Sequence, residues 1–101
     1  SKGMFVQVLL QGREQPGRIL VPRSAVRDGQ LYKVDAEQRL QRQPVELLFS
    51  QGRISVVAEG LSAGDEIVVS DLVPAVDGMP LKPQRDENLE AEVAAAARGE
   101  L

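Results

Sequence analysis

Cysteine, histidine and tryptophan are all missing from this chain. Without thiolate or imidazole there is no Cys/His zinc set, no thiol nucleophile and no Ser-His or Cys-His catalytic pair. The lack of cysteine suits any redox compartment and assigns none. Aromatic residues are scarce: Phe5, Tyr32 and Phe49 are the whole set. No stretch approaches the run of about 18 apolar residues that a membrane-spanning helix needs. No signal peptide is visible, and the chain starts Ser1-Lys2-Gly3 without an initiator methionine. We expect a fragment of a longer protein, with any targeting signal upstream.

What is present is enough for one small domain or a piece of a larger one. The chain has 101 residues, of which 43% are hydrophobic. With so few aromatics the core must come from Val, Leu, Ile and Ala, and the β-branched share of these suits strands. The net charge is −3, but it is unevenly placed. Residues 1–84 carry ten Lys/Arg and ten Asp/Glu, so the acidity lies in residues 85–101. A neutral body lacks the clustered cations of a nucleic-acid surface, and no nucleic-acid partner is expected.

Ile19-Leu20-Val21-Pro22-Arg23-Ser24-Ala25-Val26 reads as a strand running into a sharp corner, because Pro22 fixes φ and has no N–H for a ladder. Asp28-Gly29 then supplies residues tolerant of positive φ for a two-residue hairpin turn, followed by a strand from Gln30 to Asp35. Upstream, Met4 to Leu10 reads as a strand with Met4, Val6, Val8 and Leu10 on one face and Phe5 and Leu9 on the other. Its neighbours are expected outside the chain. Gln11 to Gly17 is a polar loop, and Arg18 to Val21 the next strand.

After a loop at Ala36-Glu37-Gln38, one long strand is expected from Arg39 to Phe49, with Val45, Leu47 and Phe49 inward and Pro44 marking a bulge or an edge. Ile54, Val56 and Ala58 should face inward from Arg53–Glu59, and Ile67 and Val69 from Glu66–Ser70. Tyr32 and Val34 should face the core, with Lys33 and Asp35 in water. Met79 to Leu81 completes the set as a short edge strand. Six or seven short strands between Gly/Pro/Asp turns predict an all-β fold, a small β-barrel or β-roll. The tail differs. Acidic Asp86-Glu87, then Leu89 and alanines 94–97, then Arg98-Gly99, suit a capped helix, though the isolated run is short enough that a disordered tail is the alternative.

Little in this pattern carries chemistry. Asp65 and Asp77 sit in Gly-containing turns, where Asp serves local hydrogen bonding better than acid–base work. Glu66, Asp71 and Asp28 offer no paired carboxylates. Gly60 to Gly64 lacks the Lys-Ser/Thr of a phosphate loop. Met4 and Met79 are too isolated for a soft-metal site. No catalytic residue, metal ligand or cofactor is expected. Arg13, Arg18, Arg23 and Arg27 could form a basic face, read either as a solvated surface or as a partner surface. The corner at Arg23-Ser24 is the best patch for recognition, because loops on a rigid scaffold carry it. Arg23, Ser24, Arg27 and Asp28 are the expected partner contacts.

Four segments together resemble a known family. They are Gly3-Met4-Phe5-Val6, Ile19 through Val26, Gly60-Leu61 with Gly64-Asp65-Glu66-Ile67-Val68-Val69, and Asp77-Gly78-Met79-Pro80-Leu81. As a set they resemble the C-terminal part of periplasmic adaptor subunits, the HlyD-like membrane fusion proteins of resistance-nodulation-division (RND) tripartite efflux pumps. The resemblance covers roughly residues 3–83.

It implies residues 1–17 as the end of the adaptor β-barrel domain, 18–83 as a membrane-proximal β domain, and 84–101 as a tail. It implies a non-enzymatic, periplasmic role attached to the inner membrane through a segment absent from this chain. The implied partners are an inner-membrane efflux transporter and, through domains not in this chain, an outer-membrane channel. Self-association is expected in the full-length protein. In the fragment, an open sheet edge is expected to pair with a second copy. The reading from another class is a stand-alone β-barrel binding module for a small ligand, peptide or glycan.

Overall fold

The structure is a computed structural model that describes residues 3–11 and 19–99. The expected loop at Gln11–Gly17 and the residues Arg13 and Arg18 therefore lie wholly or largely outside the described residues. Among the described residues there are eight strands: β1 (Met4–Leu10), β2 (Ile19–Pro22), β3 (Gln30–Val34), β4 (Leu40–Pro44), β5 (Glu46–Gln51), β6 (Ile54–Glu59), β7 (Glu66–Val68) and β8 (Leu81–Arg85). A 3-10 turn follows β2 at Arg23–Ala25, and a helix α1 (Glu87–Ala97) closes the chain. The strands form two open sheets, one of five in the order β4-β3-β7-β1-β8 and one of three in the order β2-β6-β5. The all-β roll predicted from the turns is the observed class.

The Asp28-Gly29 turn forms as its residues require. Both have positive φ, 55° and 74°, and Arg27 and Gln30 exchange backbone hydrogen bonds across it at 2.9 and 3.1 Å. Two left-handed central residues give a hairpin twist matching that of the flanking chain. β1 has strand neighbours on both sides within this chain, which its sequence did not reveal. It runs antiparallel to β7 and parallel to β8, with Val8 opposite Val68 and Met4 opposite Leu81.

Two cores result. Val6, Val8, Val34, Leu40, Val68, Leu72 and Leu81 pack on one face of the five-stranded sheet. Val21, Leu31, Val57 and Ile67 form the second core. β7 serves both, because successive side chains of a strand point to opposite faces. Its Ile67 is buried in one core and Val68 in the other.

Several inward assignments need correction. The expected strand Arg39–Phe49 is two strands in two sheets, divided at Pro44-Val45. Pro44 ends β4, an edge strand that tolerates the lost donor. Val45 packs in the second core, but Leu47, Leu48 and Phe49 of β5 are exposed. A register shift between Leu47 and Phe49 interrupts the ladder there. On β6 the buried residues are Ser55, Val56 and Val57, whereas Ala58 is exposed. Ser55 is satisfied by a hydroxyl pair with Ser50, Oγ to Oγ 2.8 Å. β7 ends at Val68 rather than Ser70, and β8 begins at Leu81 where Met79–Leu81 was expected. Lys33 is not in open water: it pairs with Asp65 at 3.6 Å, and their side chains are 19% and 22% exposed.

The tail is a docked helix. The Asp86 side chain accepts from the Leu89 N–H at 3.0 Å, an N-cap as the sequence predicts. α1 packs against β1 and β2, with Val93 buried. The Glu90 carboxylate, 15% exposed, accepts from the Leu10 N–H at 3.0 Å and from Arg85 at 3.0 and 2.6 Å. Arg85 holds Glu90 below the ordinary carboxylate range, burial opposes this, and the Leu10 N–H adds to it. A carboxylate whose folded pKa is lowered stabilises the fold above its unfolded pKa, about 4.3, and stops doing so as pH falls through the folded value. Glu90→Gln is expected to lower stability by about 1–2 kcal/mol at pH 7. The difference from the unsubstituted chain should narrow as pH falls from 7 to about 3 and the carboxylate takes up its proton. Urea unfolding at the two pH values checks this, and an equal deficit at both would show that the charge is not involved.

Candidate partner-contact surface

The four expected contact residues all lie between β2 and β3, but not in one cluster. Pro22 ends β2 with φ −60°, and the chain turns through Arg23–Ala25 before straightening at Val26. The corner is held from below: the Arg23 N–H donates to the Arg53 carbonyl at 2.7 Å, which ties it to the β5–β6 turn. Arg23 and Ser24 are exposed, while Ala25 and Val26 pack toward the second core. Arg27 reaches away to Asp71 at 2.8 Å, with side chains 69% and 83% exposed. A pair so exposed contributes little to stability. Asp28 occupies the left-handed turn position and is exposed.

Arg23 and Ser24 instead belong with a feature the sequence did not announce. The face of the three-stranded sheet turned away from the second core carries Leu20 opposite Val56, Pro22 opposite Ile54, and Phe49 opposite Val56 on the far side. α1 lies along this face with Leu89, Glu92 and Ala96. Between them runs a groove of about 1010 Å³. The side chains of Arg23 and Arg53 are at its rim, brought together by the backbone bond between them. Arg53 makes a loose pair with Glu92 at 3.7 Å, whereas Arg23 has no ion-pair partner among the described residues. The usable signal in the sequence was Leu20 alternating with Val21. A strand apolar on both faces needs a cover on each, and α1 covers the Leu20 side of β2.

Asp65 takes the turn role expected of it, accepting from the Ser62 N–H at 2.9 Å. Asp35, expected only to face water, holds the following turn as well, accepting from the Glu37 and Arg39 N–H groups at 2.9 Å each. Asp77 pairs with Arg42 at 2.7 Å. Arg42 also donates to the Tyr32 hydroxyl and the Ala75 carbonyl, fixing the segment before β8 to the edge strand β4 and its neighbour β3. Among the described residues no cluster of carboxylates could hold a metal ion, and no helix is long and apolar enough to cross a membrane.

A family model described as RND MFPs, C-terminal permuted SH3 domain, matches residues 18–74. Among curated proteins, the chain is similar to the multidrug efflux pump subunit AcrA of Escherichia coli, 33% identical over 97 residues. It is also similar to the multidrug export protein AcrE of the same species, 30% identical over 89 residues, and to the toluene efflux pump periplasmic linker protein TtgD of Pseudomonas putida, 29% identical over 92 residues. These alignments cover 88%, 83% and 86% of the chain, but the chain spans only about a quarter of each relative, 24%, 23% and 24% of their lengths. No solved structure matches it.

Proposed function

This chain belongs to the C-terminal permuted SH3 family of the RND membrane fusion proteins, and we propose that it is the membrane-proximal end of a periplasmic adaptor. The family consists of adaptor subunits rather than enzymes. In this reading the protein to which the chain belongs joins an inner-membrane efflux transporter to an outer-membrane channel and so serves the export of drugs or other toxic compounds. The chain itself meets the transporter, and other domains of the longer protein reach the channel.

The observation that carries the reading is the extent of the family match. It begins at residue 18 and takes in the Arg23–Ala25 corner, the whole three-stranded sheet and strands β3, β4 and β7 of the other, leaving β1 and β8 outside. The match starts where the proposed membrane-proximal unit, residues 18–83, starts and stops at residue 74, short of its end; 1–17 are assigned to the preceding barrel domain and 84–101 to the tail as part of the same proposal. β1 is the piece of the preceding segment that docks into this unit, between β7 and β8. Arg23, Ser24, Arg27 and Asp28 remain the proposed contacts: all four side chains stand outside the two cores, on loops anchored by β2 and β3. Self-association of the full-length adaptor belongs to the same proposal. The exposed apolar strand β5, at the edge of its sheet, is the surface that supports it. The stand-alone binding module draws no support from the family match.

The test uses the full-length adaptor with its transporter. Arg23→Glu combined with Arg27→Glu should leave the adaptor's abundance unchanged, abolish cross-linking from position 24 to the transporter, and lower efflux by about tenfold or more, because like charges set against each other across an interface cost several kcal/mol. Undiminished cross-linking and efflux in the double variant would remove these residues from the contact.

A further inference from the structure

The groove between α1 and the three-stranded sheet has more apolar lining than its place at the molecular surface requires. Its floor is Leu20, Ile54, Val56 and Phe49, and Leu89 stands on the helix wall. At about 1010 Å³ it is at the top of the about 300–1,000 Å³ range of small-molecule sites. Such sites combine an apolar lining with a few placed polar groups, and here those groups are charged and lie at one rim. Among the described residues lining the groove, the charged ones are Arg23, Arg53 and Glu92, two cations against one anion. Glu92 is already engaged with Arg53, so the guanidinium of Arg23 is the group left for a ligand. A guanidinium presents paired N–H donors that match a carboxylate or a sulfate.

We propose that this groove binds a single-chain amphiphilic anion from solution, its alkyl chain along Leu20, Val56 and Leu89 and its anionic head on Arg23 beside Arg53. The assignment follows from charge complementarity. A neutral amphiphile would leave the Arg23 head group without a partner, and a cationic one would face two guanidinium groups. A folded protein partner would have to enter between the sheet and α1, whereas an alkyl chain is narrow enough to lie there without moving the helix.

The whole chain, isotopically labelled at its methyl groups, would be titrated with dodecanoate below its micellar concentration. Dodecyltrimethylammonium and dodecyl maltoside serve as the cationic and neutral comparisons. Dodecanoate is expected to shift the methyls of Leu20, Ile54, Val56 and Leu89 in a saturable manner. Decanoate should bind about fifteenfold more weakly, following the loss of two methylenes. Arg23→Gln combined with Arg53→Gln should weaken dodecanoate about three- to tenfold while leaving dodecyl maltoside unaffected. Both substitutions are at exposed positions, and an unchanged unfolding midpoint confirms that the fold is retained.

Equal binding of the anion and the cation would overturn the proposal. So would shifts confined to residues away from the groove. Binding to vesicles of anionic phospholipid without any response to dodecanoate would overturn it in favour of a bilayer surface.

Discussion

Gly60→Ala should be among the most damaging single substitutions this chain can suffer, lowering stability by about 3 kcal/mol or more. Gly60 follows β6 and has φ +114°, in a region that side chains rarely enter. A Cβ there would stand 2.5 Å from the Pro44 carbonyl oxygen and 3.1 Å from the Val45 Cα. Both obstacles are backbone, and both sit at the corner where the chain leaves the five-stranded sheet for the three-stranded one. Relieving the clash means moving that corner. Yet the corner is fixed by the Val45 N–H bonded to the Gly29 carbonyl at 3.0 Å, and by Val45 packed in the second core.

Gly64→Ala is the control. Gly64 also has positive φ, but nothing lies within 4 Å of its added Cβ. It should lose only the conformational term, about 1 kcal/mol. Urea unfolding of the two variants checks the ordering. Equal losses would mean that the close approach at Gly60 is not a constraint.

That pair also shows why a motif can be legible while its cause is not. The Gly60-Leu61 and Gly64-Asp65 segments were recognisable in the sequence as turn material and as part of a family pattern. The sequence could not show that one glycine is fixed by a crossing strand and the other only by its own φ. The difference arises from contact with residues 44 and 45, which are far away along the chain. Local signals were read well where the physics is local. The Asp28-Gly29 hairpin, the Asp86 cap and the turn role of Asp65 depend on groups within about four residues of each other.

The inward faces of the later strands failed for a definite reason. Alternation identifies a buried face only while a strand stays in one sheet with unbroken register. At Pro44-Val45 the chain changes sheets, and between Leu47 and Phe49 the register slips. Leu47 and Phe49, counted in phase with Val45, therefore end up exposed. On β6 the reading assumed one buried face, whereas Val57 packs in the second core and Val56 forms the floor of the groove. The candidate site was legible only in part. The Pro22 corner placed Arg23 and Ser24 correctly on an exposed turn. Their partnership with Arg53 and α1 depends on the β2–β6 pairing and on helix docking, neither of which leaves a local mark.

Ile67→Ala addresses whether the two cores act as one. Ile67 has no exposed surface, and it lies opposite Leu9 on β1 and Lys33 on β3. β7 is only three residues long, yet it separates β3 from β1 in the middle of the five-stranded sheet. Removing the Ile67 side chain beyond Cβ should cost about 2–5 kcal/mol, from lost burial and the cavity left in the second core. Val68→Ala makes the matching cavity on the other face and, being a smaller deletion, should cost about 1–3 kcal/mol.

Because both side chains hang from one short strand, neither core can loosen without disturbing the ladder that supports the other. Each variant should therefore unfold in one transition, with methyl signals of Val21 and of Leu40 disappearing at the same urea concentration. A variant in which the Val21 signals vanish while the Leu40 signals persist would show two independent cores. β7 would then be a partition between them rather than the strand that makes them cooperative.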